Sequence, residues 1–255
     1  MTDVDPIASE ILKPGVAVLT LQRPQRRNAL SIALLGRLVD ELEGLRVSGR
    51  ARVVILRAAG PVFSAGLDLA EAADPGLVEE SARRVAAALH ALRHSPLVSI
   101  AAVHGGAYAG GAGLMAACDI AVGASDLQIG FPEAQRGLLP ALVCEPLRLK
   151  VRMGDLAELF LVGQPIDAAR AREIGLLQRV VAPGDVLNEA LRMADGVLAG
   201  GPRTIIETKA LLGRAYGVGV SGSSDVIAEH LQARRGPEAA EGLRAFLEKR
   251  PPNWR

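Results

Sequence analysis

The one carboxylate set among apolar and turn-forming residues is Glu133, in Phe131-Pro132-Glu133 ahead of Gly137-Leu138-Leu139-Pro140. Apolar surroundings raise a carboxyl pKa and suit the group to proton transfer. Taken alone, the spacing fits an exposed surface Glu better. A second candidate is the run Gly105 to Gly113, which carries five glycines after an apolar segment. Glycines let a backbone approach closely, and free N–H groups at a helix start attract negative charge. Tight helix-on-sheet packing accounts for the same residues. Gly111-x-Gly113-x-x-Ala116 also matches a dinucleotide fingerprint. It starts too far past the strand, and no acidic residue ends a following strand at the expected place. In Phe63-Ser64-Ala65-Gly66-Leu67-Asp68-Leu69 small residues imply a sharp turn, and without a G-x-S-x-G, Ser64 is no nucleophile elbow. His90 and His94 stand one helical turn apart with no acidic or Cys partner nearby, which reads as a solvated face. His104 reads as structural. Cys118 and Cys144 form no C-x-x-C, so neither a disulfide nor a zinc site is expected.

Those segments need elements to position them. Ala8 to Lys13, Pro14-Gly15 and Val16 to Leu21 predict a hairpin. Ser31 caps a helix with Leu34, Leu38, Leu42 and Leu45 on one stripe. Arg52 to Leu56 and Leu97 to Val103 predict strands buried on both faces. Between them lies a helix with Val78, Ala82, Val85, Leu89 and Leu92 on one face. A short helix follows the glycines to about Ala117, then a strand from Asp119 to Val122. Strands alternate with helices to about residue 182, and helices dominate beyond, with Pro183, Pro202 and Gly236-Pro237 near helix starts. The class is α/β with a helical C-terminal part. The break at Ala199-Gly200-Gly201-Pro202 divides a core, 1–199, from a helical region, 200–255.

The 255 residues suffice for a sizeable core without disulfides or metal. A net charge of +1 and 3% aromatic residues argue against nucleic-acid partners and base-stacking platforms. No apolar run reaches a membrane span and no secretion signal begins the chain, so a cytoplasmic protein off the membrane is expected.

Together the segments resemble the crotonase superfamily, the enoyl-CoA hydratases and isomerases. The carriers are Arg23-Pro24-x-x-x-Asn28-Ala29-Leu30, Phe63-x-Ala65-Gly66-x-Asp68-Leu69, Ala101-Ala102-Val103-x-Gly105 with the glycines to Gly113, Cys118-Asp119-Ile120, Pro132-Glu133…Gly137-x-x-Pro140 and Phe246-x-Glu248-Lys249-Arg250. The resemblance implies a spiral of repeated ββα units and a C-terminal region that builds trimers, or dimers of trimers. It implies an acyl-CoA thioester substrate, with coenzyme A as part of that substrate and no separate cofactor or metal. The N–H groups of Leu67 and Gly110 would hold the thioester oxygen, and Glu133 would be the acid/base. Arg26, Arg27 and Lys249 would meet the CoA phosphates. Ala65, Gly66, Asp68, Leu69, Gly113 and Pro132 would line the substrate path. Family hydratases carry a further Glu where Gly113 stands. Hydration of 2-enoyl-CoA is the leading expectation, with Δ3-Δ2 isomerisation by Glu133 alone as the alternative. Another crotonase reaction, or a weakly catalytic acyl-CoA-binding subunit, also stays open.

Overall fold

The computed structural model describes residues 5–72, 74–215 and 236–254, and it groups into two compact units, Met1–Arg192 and Met193–Arg255.

The first unit is built on a six-stranded sheet. Its strands are β1 (Ile7–Lys13), β2 (Gly15–Leu21), β3 (Ala51–Ala58), β4 (Val98–Val103), β6 (Ile120–Ala124) and β9 (Arg179–Val181), in that spatial order. β1 and β2 form the expected antiparallel hairpin, and every later pairing is parallel. All six residues of β4 are buried, as a continuous apolar run requires when both faces are covered. With so few aromatics, aliphatic contacts such as Ile55 opposite Ile100 fill the core; Phe63 and Phe131 are its largest fully buried side chains. Helix α1 (Ile32–Ser48) starts where Ser31 Oγ accepts the Leu34 N–H at 3.2 Å, and buries Leu34, Leu38, Leu42 and Leu45.

A second sheet, β5 (Gly106–Tyr108), β7 (Gln128–Gly130) and β8 (Ile166–Asp167), lies in stretches for which the sequence predicts no strand. Three-residue strands are too short to show an alternation, and glycine has no strand preference to reveal them.

After β3 the chain makes a one-turn helix, α2 (Leu69–Ala72), and then helix α3 (Val78–His94), which departs from its sequence stripe. Val85, Leu89 and Leu92 are buried as expected, joined by Ser81 and Ala88, whereas Val78 is half exposed and Ala82 is exposed. The N-terminal turn of α3 covers a cavity instead of core.

In the second unit, helix Pro202–Ala215 presents Ile206, Leu211 and Leu212 to its surface, and Trp254 Nε1 donates to the Ala199 carbonyl at 2.9 Å. Among the described residues no helix is long and apolar enough to cross a membrane.

Candidate active site

A cavity of about 760 Å³ opens between the 65–72 segment, α3, the start of helix α4 (Gly110–Ala117) and the segment from Pro132 to Val143. Two backbone segments make its polar end. The first is fixed from below by Asn28, which is fully buried at φ +51°. Its Nδ2 donates to the Ala59 and Val62 carbonyls at 2.8 and 2.9 Å, and its Oδ1 accepts the Arg23 N–H at 2.9 Å. Ser64 Oγ donates to the Asn28 carbonyl at 2.8 Å and accepts the Gly66 N–H at 3.3 Å. The sequence pattern flags Asn28 and Ser64, and in the structure both hold the turn that carries Leu67.

The second segment is locked to the first. Tyr108 N–H donates to the Ser64 carbonyl at 3.0 Å and Ser64 N–H to the Gly106 carbonyl at 3.1 Å. A Cβ on Gly66, at φ +94°, would stand 3.0 Å from Ala109 Cβ and 3.1 Å from the Tyr108 carbonyl oxygen. A Cβ on Gly111 would lie 2.6 Å from Ser64 Cβ. The glycines therefore serve close backbone approach. Gly111, Gly113 and Ala116 lie within α4, all buried, rather than in a phosphate-binding turn.

Between the segments, the N–H groups of Leu67 and Gly110 engage no hydrogen-bond partner among the described residues. Gly110 is the first residue of α4, and a Cβ on it would meet Leu67 Cδ2 at 3.9 Å, so the two donors' residues are neighbours. Ala109 aims α4 at the cavity from φ +48°, ψ −120°, a conformation that costs a non-glycine residue about 1–3 kcal/mol and that recurs where strain serves a site. Two free donors at the positive end of a helix suit a developing oxyanion.

Glu133 sets a carboxyl group on the same cavity. It is nine-tenths buried, and its Oε2 has no hydrogen-bond partner. Burial pushes its carboxyl above the usual range, against weaker opposing pulls from its own backbone N–H and the Arg136 charge. Nearby carboxylates are committed elsewhere. Asp68 pairs with Arg23 at 3.0 Å, Glu71 accepts the Ile32 N–H at the start of α1 at 2.7 Å, and Glu145 pairs with Arg93 and Arg148.

Leu67, Gly110, Glu133, Ala65, Asp68, Leu69, Pro132, Arg26 and Arg27 all line the cavity, the two arginines from exposed positions. Gly66 is buried beneath it. Gly113 lies behind the wall: a Cβ there would meet Val143 Cγ1 at 2.6 Å, and Val143, from helix α5 (Ala141–Leu147), takes its place on the lining. Lys249 is exposed in the second unit, at φ +54°. Sequence reasoning missed Arg136 and Ser81. Arg136 sits three residues after Glu133, a spacing the sequence displays; Ser81 carries no motif.

His90, His94 and His104 do not line the cavity. His104 Nε2 lies 2.8 Å from the Gly60 carbonyl oxygen. His90 and His94 stack with ring centroids 4.0 Å apart on the exposed face of α3. Among the described residues no three His, Cys, Asp or Glu groups converge on a metal position.

The family model for enoyl-CoA hydratase/isomerase matches residues 12–255. The chain is 35% identical to a putative enoyl-CoA hydratase of Thermus thermophilus, over 96% of this chain and 99% of that one. It is 32% identical to the mevalonyl-coenzyme A hydratase sidH of Aspergillus fumigatus, over 95% and 92%. Among solved structures, Pseudomonas aeruginosa DspI superposes with a TM-score of 0.91 at 31% identity, covering 100% and 98% of the two chains. A Legionella pneumophila crotonase, a putative enoyl-CoA hydratase/isomerase, gives 0.88 at 29% identity, covering 99% and 100%. The mixed α/β architecture is therefore the crotonase fold.

Proposed function

The chain belongs to the enoyl-CoA hydratase/isomerase family, and from that premise we propose that it moves a proton on an enoyl-CoA thioester with Glu133 as its one acid–base group. The observation that carries this reading is the buried Glu133 carboxylate, unpartnered at Oε2, on the same cavity as the unengaged Leu67 and Gly110 N–H groups. The thioester oxygen accepts from the two N–H groups. Ionised Glu133 removes a proton from the carbon next to the thioester, and the electron pair moves onto that oxygen, where the two donors stabilise the enolate.

From a 3-enoyl-CoA the enolate is conjugated with the double bond. The protonated Glu133 returns its proton at the far end of the conjugated system, and the product is the 2-enoyl-CoA. One carboxylate suffices for this transfer. Isomerisation is the reaction the geometry supports best, because Val143 fills the place in front of Gly113 where a second carboxylate would stand. Hydration is the second reading, favoured by the hydratase names of the relatives. It asks Glu133 both to activate the water and to return its proton.

The exposed Arg26 and Arg27 are assigned to the CoA phosphates, and the same assignment is proposed for Lys249. The exposed apolar side chains Ile206, Leu211 and Leu212 of helix Pro202–Ala215 are assigned to a three-fold assembly. Supplying 3-enoyl-CoA and 2-enoyl-CoA in turn tests the reaction. Gain of conjugated-thioester absorbance from the first supports isomerisation, and its loss from the second supports hydration. No change with either overturns both.

A further inference from the structure

One further polar side chain on the cavity is nine-tenths buried and makes no side-chain hydrogen bond among the described residues, although its oxygen, unlike Glu133 Oε2, is not sealed from the cavity. It is Ser81, on the inner face of α3, 5% exposed. Its N–H bonds to the Leu77 carbonyl as a helix requires, but its hydroxyl makes no hydrogen bond among the described residues. A serine inside a helix often turns its hydroxyl back onto the carbonyl four residues earlier. Here that bond is absent. The neighbouring wall is apolar: Val78, Ala82 and Val85 on α3, and Leu142 and Val143 on α5. Ala82, on the same lining, shows that a methyl group fits this surface. Solvent in the open cavity can meet this hydroxyl, but a bound tail that displaces the solvent leaves it unfavourably unpaired unless the tail itself meets it.

We propose that Ser81 is a specificity-determining residue that hydrogen-bonds a neutral oxygen function, a hydroxyl or oxo group, on the acyl tail of the substrate. This rests on the acyl-CoA reading above. The chemistry selects the class. A hydroxyl donates and accepts, so it satisfies an alcohol or a ketone. A carboxylate on the tail would need a cation, and none of the lining residues that α3 and α5 supply carries one. A plain alkyl tail would leave the Ser81 hydroxyl unpaired and dry. A tail that pairs with it removes that cost, so discrimination comes from the unpaired group as much as from the bond.

Matched pairs of short enoyl-CoA thioesters test this, one with a plain alkyl tail and one with a hydroxyl or oxo group on the tail. Turnover is measured for wild type and Ser81→Ala. Binding of the corresponding saturated acyl-CoA pairs is measured by calorimetry, which needs no reaction. The wild type is expected to favour the oxygenated tail by roughly tenfold, the effect of one buried hydrogen bond between neutral groups. Ser81→Ala should abolish that preference while keeping or raising turnover of the plain tail, with an unchanged melting temperature. A merely structural serine would lower both substrates together. Equal preference in wild type and variant, in turnover and in binding, overturns the proposal, as does a wild-type preference for the plain tail. If no enoyl-CoA is turned over but the binding preference exists and disappears in Ser81→Ala, the Ser81 assignment stands and the reaction reading falls.

Discussion

Gly66→Ala separates the geometry of the two N–H donors from ordinary backbone strain. Gly66 sits at φ +94°, and the new methyl would lie 3.0 Å from Ala109 Cβ and 3.1 Å from the Tyr108 carbonyl oxygen. Both contacts are with the segment that carries the Gly110 N–H, so relief requires the two donor segments to move apart by a few tenths of an ångström. Gly49→Ala is the control. Gly49 ends α1 at φ +62°, with nothing within 4 Å of its Cβ, so alanine there adds strain without contact. A left-handed non-glycine residue costs about 1–2 kcal/mol, and alanine returns about 0.4–1 kcal/mol by restricting the unfolded chain. These effects are common to both variants, so Gly49→Ala should lose about 1 kcal/mol or less, with normal activity. Gly66→Ala should lose somewhat more in thermal unfolding, and its kcat should fall roughly 10²-fold, the effect of one displaced oxyanion donor. Substrate KM should change little, because the ground-state carbonyl depends less on these donors than the enolate does. The assay is steady-state turnover of enoyl-CoA beside thermal melts of both variants. If Gly66→Ala retains activity within twofold of Gly49→Ala, the Leu67 and Gly110 N–H groups are not the oxyanion site.

The remaining predictions concern the acid, the wall and the assembly. Glu133→Gln should lower kcat by about 10²–10⁴ with CoA affinity unchanged, measured by turnover and calorimetry. Because burial raises the Glu133 carboxyl, the wild-type kcat/KM should rise with pH along a limb centred above the ordinary carboxylate range, and the residual Gln activity should lack that limb. The same shift fixes the sign for stability: the folded state keeps this proton to higher pH than the unfolded chain, so its stabilising contribution is full below the ordinary carboxylate range and is lost as pH rises through the raised value. Glu133→Gln should thus match wild type in acid and exceed it at neutral pH, read from melts across pH. Gly113→Ala should cost about 1–3 kcal/mol by overpacking against Val143, and Val143→Ala in the same chain should recover much of it; additive losses in melts would count against that contact. Sedimentation at micromolar concentration should show a trimer or a dimer of trimers; a monomer would remove the role given to Ile206, Leu211 and Leu212.

Strong local signals made much of the fold legible. Ser31 announced its helix because a capping hydroxyl and a leucine stripe agree, and β4 announced itself as an unbroken apolar run. The second sheet was illegible because its pairings are made by residues such as Gly106 and Gly130, whose local preference says nothing about strands. In α3 the stripe was read correctly as one face, but periodicity does not tell whether a face meets core or cavity. Val78 and Ala82 face the cavity. Hydropathy passed over Ser81 for a related reason: the absence of a partner for its hydroxyl is a property of three-dimensional surroundings, not of spacing.

Gly113 shows the same limit at the chemistry itself. In sequence it is a missing acid, a vacancy that one substitution would fill. In the structure it is packed ground, since a Cβ there would stand 2.6 Å from Val143 Cγ1 and 3.6 Å from Leu89 Cδ2. Val143 comes from α5, which begins just after Leu138-Leu139-Pro140. Gly113 and Val143, thirty residues apart in sequence, are therefore one feature: glycine at 113 makes room for the valine, and the valine makes that part of the wall apolar. Restoring an acid then takes both changes. Gly113→Glu alone has to force its side chain past Val143, whereas paired with Val143→Ala it has a path to the cavity.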